Sequence, residues 1–434
     1  MRLKLTLDEI GCICLMLFYG TMGYVPILMP NTGGALTNQS QMQDVHGLNH
    51  LILFLIWFGI FYLLLKSYFK LRLDLLSARA ALAYAGFAFL SFLWSTNPAS
   101  TFSGGVSLIF STVFAIFLVT KFHGERLVNL LSWVMLVLSL GSAFLALVLP
   151  RYGLDHFMHS GAWQGLYGQK NGLGLVMVLG TGIVISQKRG NMVENSLKYL
   201  TLFLCIAEVG LSRSREAWIA CALIVSMHFA FKVYERFALG SRLPVLLVGT
   251  VIILTVSGIV AVFWVEILTF FGRDVTLTGR TVLWQAVLEQ CKNHPLTGYG
   301  LGSFWGTGAA LPIYAKTGWT PTSSHNGFLE CLLELGAIGL VLLLFPLLLG
   351  WYNAIKIVAS HRNFDSSKAW IYCFAAITML NMVGDITGNI NSICWMIVLI
   401  GACALEADRR NAMLPSRRLP NIVSMKAVGI GIAF

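Results

Sequence analysis

Apolar residues fall into runs of spanning or near-spanning length, separated by polar connections. Twelve such runs centre near Phe18, Trp57, Phe87, Ile116, Leu138, Val178, Phe203, Ile224, Leu254, Leu340, Ala376 and Val398, the third and eleventh being short. A segment that crosses lipid must satisfy its own backbone, so each run is predicted to be a membrane helix. One long polar interruption, Thr269 to Asn326, lies between the ninth and tenth runs. The pattern predicts an all-α polytopic membrane protein of about 12 transmembrane helices. Residues 1–268 carry spans one to nine, 269–326 the loop, 327–406 spans ten to twelve, and 407–434 a tail.

Composition agrees. The 434 residues are 57% hydrophobic and 11% charged, whereas soluble domains carry about 25% charged residues. In a soluble protein the net charge of +11 would suggest nucleic acid; here positive-inside asymmetry is the simpler cause. The N-terminus and the even-numbered connections hold 22 of the 30 basic residues, which places both termini in the cytoplasm. Three opposite connections, Pro30 to Asn49, Trp94 to Ser103 and Gly384 to Asn391, hold none. The first run is followed by no small-residue cleavage site and reads as a retained span. Eight of the nine cysteines lie in apolar runs and only Cys291 in the long loop, so no disulfide framework is expected. The stretch after Leu419 is too short to span.

Orientation leaves eight basic residues unexplained: Arg151, Lys170, Arg213, Arg215, Arg273, Arg280, Lys292 and Lys316. All fall in three connections on the outer face, which points to an anionic ligand there.

Three motifs carry these cations. Leu-Ser-Arg-Ser-Arg-Glu, Leu211 to Glu216, joins the seventh and eighth spans, with Ser212 or Ser214 as a candidate cap. Two arginines at a helix N-terminus oppose the macrodipole, and a bound anion would offset that. Snorkelling, or pairing with Glu208 or Glu216, is the alternative. Thr-Gly-Arg, Thr278 to Arg280, opens an amphipathic helix whose apolar face is Leu283, Trp284, Val287, Leu288 and Cys291. Arg280 is either an anion ligand or half of a surface salt bridge, with Asp274 a candidate partner. Ser-Ser-His-Asn, Ser323 to Asn326, caps the tenth span. There the helix end, partial burial and nearby arginine should lower the His325 pKa and leave a neutral imidazole, as a general base requires. A satisfied interface histidine is the alternative. Glu330 and Glu334, one turn apart within the bilayer, are expected to be structurally paired.

Gly-Gln-Lys-Asn-Gly, Gly168 to Gly172, offers Lys170 to a phosphate. Its glycines follow no strand, so it is no dinucleotide fingerprint. Gly298, Gly300 and Gly302 fail the same test and should form a turn. Asp155, His156 and His159 have loosely metal-like spacing without further ligands, so no metal site is expected. With no Asp-x-Asp and no Walker motif, neither a divalent cation nor ATP is implied.

Lys170-Asn171, Ser-Arg-Ser-Arg, Thr-Gly-Arg with Trp284, His-Pro-Leu-Thr-Gly-Tyr-Gly-Leu-Gly (His294 to Gly302) and Ser-His-Asn ahead of Glu334-Leu335-Gly336 together resemble the O-antigen ligase/polymerase superfamily of bacterial envelope proteins. The resemblance implies a GT-C-like helical fold with a large periplasmic loop between spans nine and ten. It implies metal-free, cofactor-free glycan transfer from undecaprenyl pyrophosphate at the periplasmic face of the inner membrane. An O-antigen ligase, using a lipid A-core sugar hydroxyl as acceptor, is the preferred member. A Wzy-type O-antigen or exopolysaccharide polymerase and then a protein O-oligosaccharyltransferase follow. The different-class alternative, a polysaccharide transporter or flippase, would place charges near the bilayer midplane within repeated halves. In the transferase reading Arg280 and Arg215, supported by Arg213 and Lys170, bind pyrophosphate, and His325, Arg280 and Arg215 form the catalytic set.

Overall fold

The computed structural model describes residues 5–21, 39–68, 70–156, 159–188, 190–236, 280–360, 364–384 and 392–413. Eleven of the twelve apolar runs coincide with helices: α1 (Leu7–Gly20), α2 (Gln39–Lys66), α3 (Leu76–Leu90), α4 (Pro98–Lys121), α5 (Glu125–Val148), α7 (Lys170–Ile185), α8 (Met192–Leu211), α9 (Arg215–Tyr234), α12 (Gly327–Ser360), α13 (Asp365–Asn381) and α14 (Ile393–Met413). A single turn, α6 (Pro150–Gly153), follows α5, and two short helices of the polar loop are α10 (Arg280–Cys291) and α11 (Leu311–Thr317). The ninth run near Leu254, with Arg273, Asp274, Thr278 and the tail after Leu419, lies outside the described residues.

Among the described residues every regular element is a helix, and the protein is a polytopic membrane protein. Five of its described helices are individually long and apolar enough to cross a bilayer. Sequence pattern explains which helices are central. α7, α13 and α14 are apolar on every face, and buried residues run almost continuously along Gly172–Val184, Ala369–Ile377 and Ile393–Leu405. A helix apolar all round must be surrounded by other helices. Peripheral helices instead turn large apolar side chains outward, such as Phe54, Phe58 and Phe61 on α2 and Phe203 on α8, as lipid-facing helices do.

Contacts at the two ends of the bundle agree with the alternation read from charge. At one end Asp8 bridges Lys66 and Lys121 (2.6 Å each), Glu9 bridges Arg126 (2.7 Å), and Lys188 bridges Glu125 (2.5 Å). At the other, the α3–α4 connection and the first turn of α4 are stitched to the polar loop: Thr96 N–H donates to Tyr299 O (3.1 Å) and Thr101 Oγ1 to Leu301 O (2.8 Å).

Candidate functional site

The His-Pro-Leu-Thr-Gly-Tyr-Gly run is a structural insert into a broken helix. Gly336 interrupts α12 with φ 65° and ψ −167°. A break at that depth strands backbone groups, each costing several kcal/mol if left in lipid. The run replaces them: Tyr299 N–H donates to Leu333 O (3.1 Å) and Gly300 N–H to Glu334 O (2.8 Å). In return Ala337 N–H donates to Pro295 O (2.9 Å) and Ile338 N–H to Leu296 O (3.2 Å). A Cβ on Gly298 or Gly336 would overlap the opposing backbone, which is why both are glycine. Gly298, Gly300 and Gly302 all have positive φ, as a turn requires.

This insert fixes the loop helices over the start of α12. Leu283, Ala286, Val287 and Cys291 of α10 bury against Tyr299, Phe304, Ile313 and Leu333, a small core separate from the main one. The expected apolar face holds except at Leu288, which is exposed, while Ala286 is buried in its stead.

α10 presents Arg280 to the main bundle. One guanidinium nitrogen donates to Glu216 (2.8 Å) in the first turn of α9, and another to the Val383 carbonyl (2.8 Å) just beyond α13. The Glu216 carboxylate and the negative end of a helix both favour a cation at this point. The salt bridge is therefore with Glu216, across the bundle. α9 reaches this position because Gly174 lets α7 pass closely. A Cβ there would stand 2.7 Å from Ala217 Cβ and 3.1 Å from Ser212 Oγ.

His325 sits in the left-handed region, with φ 52°. That conformation costs a non-glycine residue of order 1–3 kcal/mol and persists only where neighbours enforce it. Both neighbours are clamped. Ser324 N–H donates to buried Glu330 (2.6 Å), which also accepts the Trp305 indole N–H. The Ser324 carbonyl accepts from Trp284 Nε1 (3.0 Å). Asn326 caps α12, its Oδ1 accepting from Phe328 (3.0 Å) and Leu329 (3.1 Å), while its amide donates to Met382 O (3.1 Å). Glu330 thus has the expected structural partners, and its bonds fix the backbone of the residue before the histidine. The imidazole stacks on Trp319, ring centroids 6.2 Å apart. Burial pushes its pKa below the ordinary histidine value, Arg280 pushes it further down, and Glu216 pulls it back up.

Arg280, Glu216 and His325 line one open cavity of about 350 Å³ together with Gln169, Asn171, Ser214, Thr322, Ser323 and Ser392 on its polar side and Leu175 and Leu380 on its apolar side. Lys170, Arg213 and Arg215 flank it through these sequence neighbours. Lys170 Nζ donates to the Arg213 carbonyl (3.4 Å), and the Arg213 guanidinium to Ser160 O (3.1 Å). Arg213 and Arg215 are exposed. Ser214 is the N-cap residue of α9 but its side chain makes no cap bond, and the Ser212 hydroxyl instead accepts from Ser214 N–H (3.2 Å). The remaining outer-face cations stand apart. Lys316 bridges Glu289 (2.7 Å) on the loop surface, and Arg151 lies over Tyr152. Glu208 does not serve the arginines: it is buried, and among the described residues neither carboxylate oxygen has a hydrogen-bond partner.

Residues 200–344, which span Arg213, Arg215, Glu216, Arg280 and His325, match the family model described as O-antigen ligase, Wzy_C. Over that segment the chain is similar to the O-antigen ligase family. Lys170 lies ahead of the segment. A relative of wider reach is the exopolysaccharide production protein ExoQ of Rhizobium meliloti (strain 1021), 25% identical over 315 residues, covering 68% of this chain and 69% of the relative. The matched segment contains the insert at Gly336 and the Glu216, Arg280 and His325 side of the cavity, while Gln169, Asn171 and Ser392 of its wall lie outside that segment.

Glu216 and the neutral polar wall were not foreseen as site residues. Ser-Arg-Glu at Ser214 to Glu216 contained the signal, since a carboxylate one residue past Arg215 points to a different face of the helix. Glu330 was foreseen as paired, but not as the group that clamps the backbone beside His325.

Proposed function

We propose that this chain is a metal-independent, inverting glycosyltransferase. It moves a glycan from undecaprenyl pyrophosphate to a sugar hydroxyl at the periplasmic face of the bacterial inner membrane. The carrying observation is that Arg280 and His325, 45 positions apart in sequence, line one cavity at the bundle end opposite the basic connections. With twelve spans and both termini cytoplasmic, that end is periplasmic, and residues 269–326 form the periplasmic loop of a GT-C-like fold.

The chemistry follows from the groups present. Arg280 is held so that its guanidinium faces the cavity, where it can stabilise charge growing on the departing pyrophosphate. Arg215, Arg213 and Lys170 supply further positive charge at the rim. His325, neutral near pH 7, takes the proton of the acceptor hydroxyl as its oxygen attacks the anomeric carbon from the side opposite the pyrophosphate. The glycosidic bond forms as the carbon–oxygen bond to pyrophosphate breaks, inverting that carbon. The donor is already activated, so no ATP is needed.

Two acceptors fit this reaction. The family description favours ligation, to a lipid A-core sugar. The relative over 68% of the chain is an exopolysaccharide production protein; on that ground we place first the extension of a polysaccharide, with a second lipid-linked repeat unit as our proposed acceptor. The test is a purified-protein assay with an undecaprenyl-pyrophosphate oligosaccharide donor, offered a second lipid-linked repeat or lipid A-core. Longer lipid-linked chains support extension; a glycan on lipid A-core supports ligation. No transfer to any sugar hydroxyl under either condition rejects the transferase reading, and uptake or flipping of the intact donor would favour a transporter.

A further inference from the structure

α7, α9 and α13 line a second cavity at their opposite ends. It also measures about 350 Å³, and its polar lining is dominated by Lys188, Lys198, His228, Lys232, Lys368 and Asp365. The segment just after α7 supplies Lys188, the first turns of α8 supply Lys198, the last turns of α9 supply His228 and Lys232, and the first turn of α13 supplies Asp365 and Lys368. Lys368 bridges both Glu235 and Asp365 (2.7 Å each), and Lys188 bridges Glu125 (2.5 Å). Lys198 donates to the Gln187 carbonyl, and Lys232 lies 5.6 Å from the Phe229 ring centre. Four ammonium groups thus meet three carboxylates, with His228 beside them. Lys198 and Lys368 are buried within this cluster, where water cannot screen their charge fully.

The surroundings of this cavity are apolar. Tyr199 and Leu202 of α8 form part of its wall. Beside them α8 exposes Phe203, and α9 exposes Phe229 and Val233. A ligand matched to both features has a compact anionic head and an apolar tail.

We propose that this cavity binds the phosphate head group of an anionic glycerophospholipid, drawn from the leaflet opposite the transfer site. The lysines hold the phosphodiester oxygens, and the acyl chains lie against the apolar faces of α8 and α9. Juxtamembrane lysines are each worth about 1 kcal/mol toward anionic lipid, so several converging on one head group give a site that outlasts exchange with bulk detergent. The assignment does not depend on the transferase reading.

The test uses the full-length chain purified in detergent, stripped of lipid and titrated with dioleoylphosphatidylglycerol or dioleoylphosphatidylcholine, with bound lipid counted by native mass spectrometry. Wild type should retain one phosphatidylglycerol in preference to phosphatidylcholine. Lys198→Gln/Lys232→Gln should weaken retention at least about tenfold, in keeping with two lost ammonium–phosphate contacts. Lys232 is exposed, so Lys232→Gln alone, expected to fold normally, should give a smaller loss in the same direction. His325→Ala should retain the lipid as wild type does. Equal retention of phosphatidylcholine, unchanged retention in both lysine variants, or complete displacement by millimolar inorganic phosphate would each overturn the lipid site.

Discussion

The cations on the two sides of the candidate catalytic cavity are built differently. Arg280 is half-buried, and its two donors are committed at 2.8 Å to a carboxylate and a helix-terminal carbonyl. Arg213 and Arg215 stand exposed at the rim, and among the described residues the Arg213 fork reaches the Ser160 carbonyl of a neighbouring turn. The first arrangement fixes a charge in space before substrate arrives, which lets it act on charge developing in a transition state. The second supplies solvent-screened charge, better suited to attracting and seating a polyanion. His325 belongs with the fixed side, because Glu330 and Trp284 clamp Ser324 and Asn326 caps the next helix.

The sharpest way to test this division is at the fixed side. His325→Ala should lower turnover by about 10²–10⁴-fold, the range for loss of a general base, with donor binding largely kept. Glu216→Gln is the necessary companion, since Glu216 lines the same cavity and could itself accept a proton. If Glu216→Gln removes turnover and His325→Ala does not, the base is the glutamate. Arg280→Ala should cost about 10²–10³-fold, comparable with removing a preorganised charge-stabilising donor. Arg280→Lys should recover little of it, because one ammonium cannot reproduce a fork that reaches two acceptors at once. Full recovery by lysine would show that charge alone matters and would merge the two classes of cation.

Much of this was legible from residue order, for physical reasons. A lipid environment leaves helices as the natural reading of the long apolar runs, so the positions of eleven of the twelve runs could be read directly. Charge asymmetry separated the two ends, and the eight exceptions singled out Arg280 and the Arg213–Arg215 pair. It could not separate a cavity-lining cation from a surface one. Lys316 carries the same charge on the same face, yet pairs with Glu289. Pairings between distant segments were hidden as well. Arg280–Glu216 joins residues 64 positions apart, and the His294–Gly302 run reads as a turn until the break at Gly336 shows what its backbone groups satisfy.

At the rim the expected effects are smaller. Arg213→Ala, Arg215→Ala and Lys170→Ala should each reduce kcat/KM only several-fold, because exposed pairs are worth about 0–1 kcal/mol. The loss should appear mainly in KM and shrink as salt rises. A loss as deep as that of Arg280→Ala, unchanged by salt, would move that residue to the fixed side.

The gentlest probe moves a titration without removing a group. Burial and Arg280 hold the His325 pKa below its ordinary value, and Glu216 opposes them. The imidazole is then neutral at pH 7, and turnover should fall only as pH drops below the usual histidine range. Stability has the same sign: the unfolded chain takes up this proton near pH 6.5 while the folded chain resists it. The contribution is therefore complete above that pH and lost as pH falls through the depressed folded value. Glu216→Gln removes the opposing anion, so the acid limb of kcat/KM should move to lower pH. Arg280→Ala removes a cation, so the histidine, followed by its ring resonances, should titrate at higher pH. Opposite displacements require that both groups act on His325 through space in the same cavity. Displacement in one direction for both variants, or none for either, would mean that burial alone sets the proton affinity and that the fixed cation and the base are electrostatically independent.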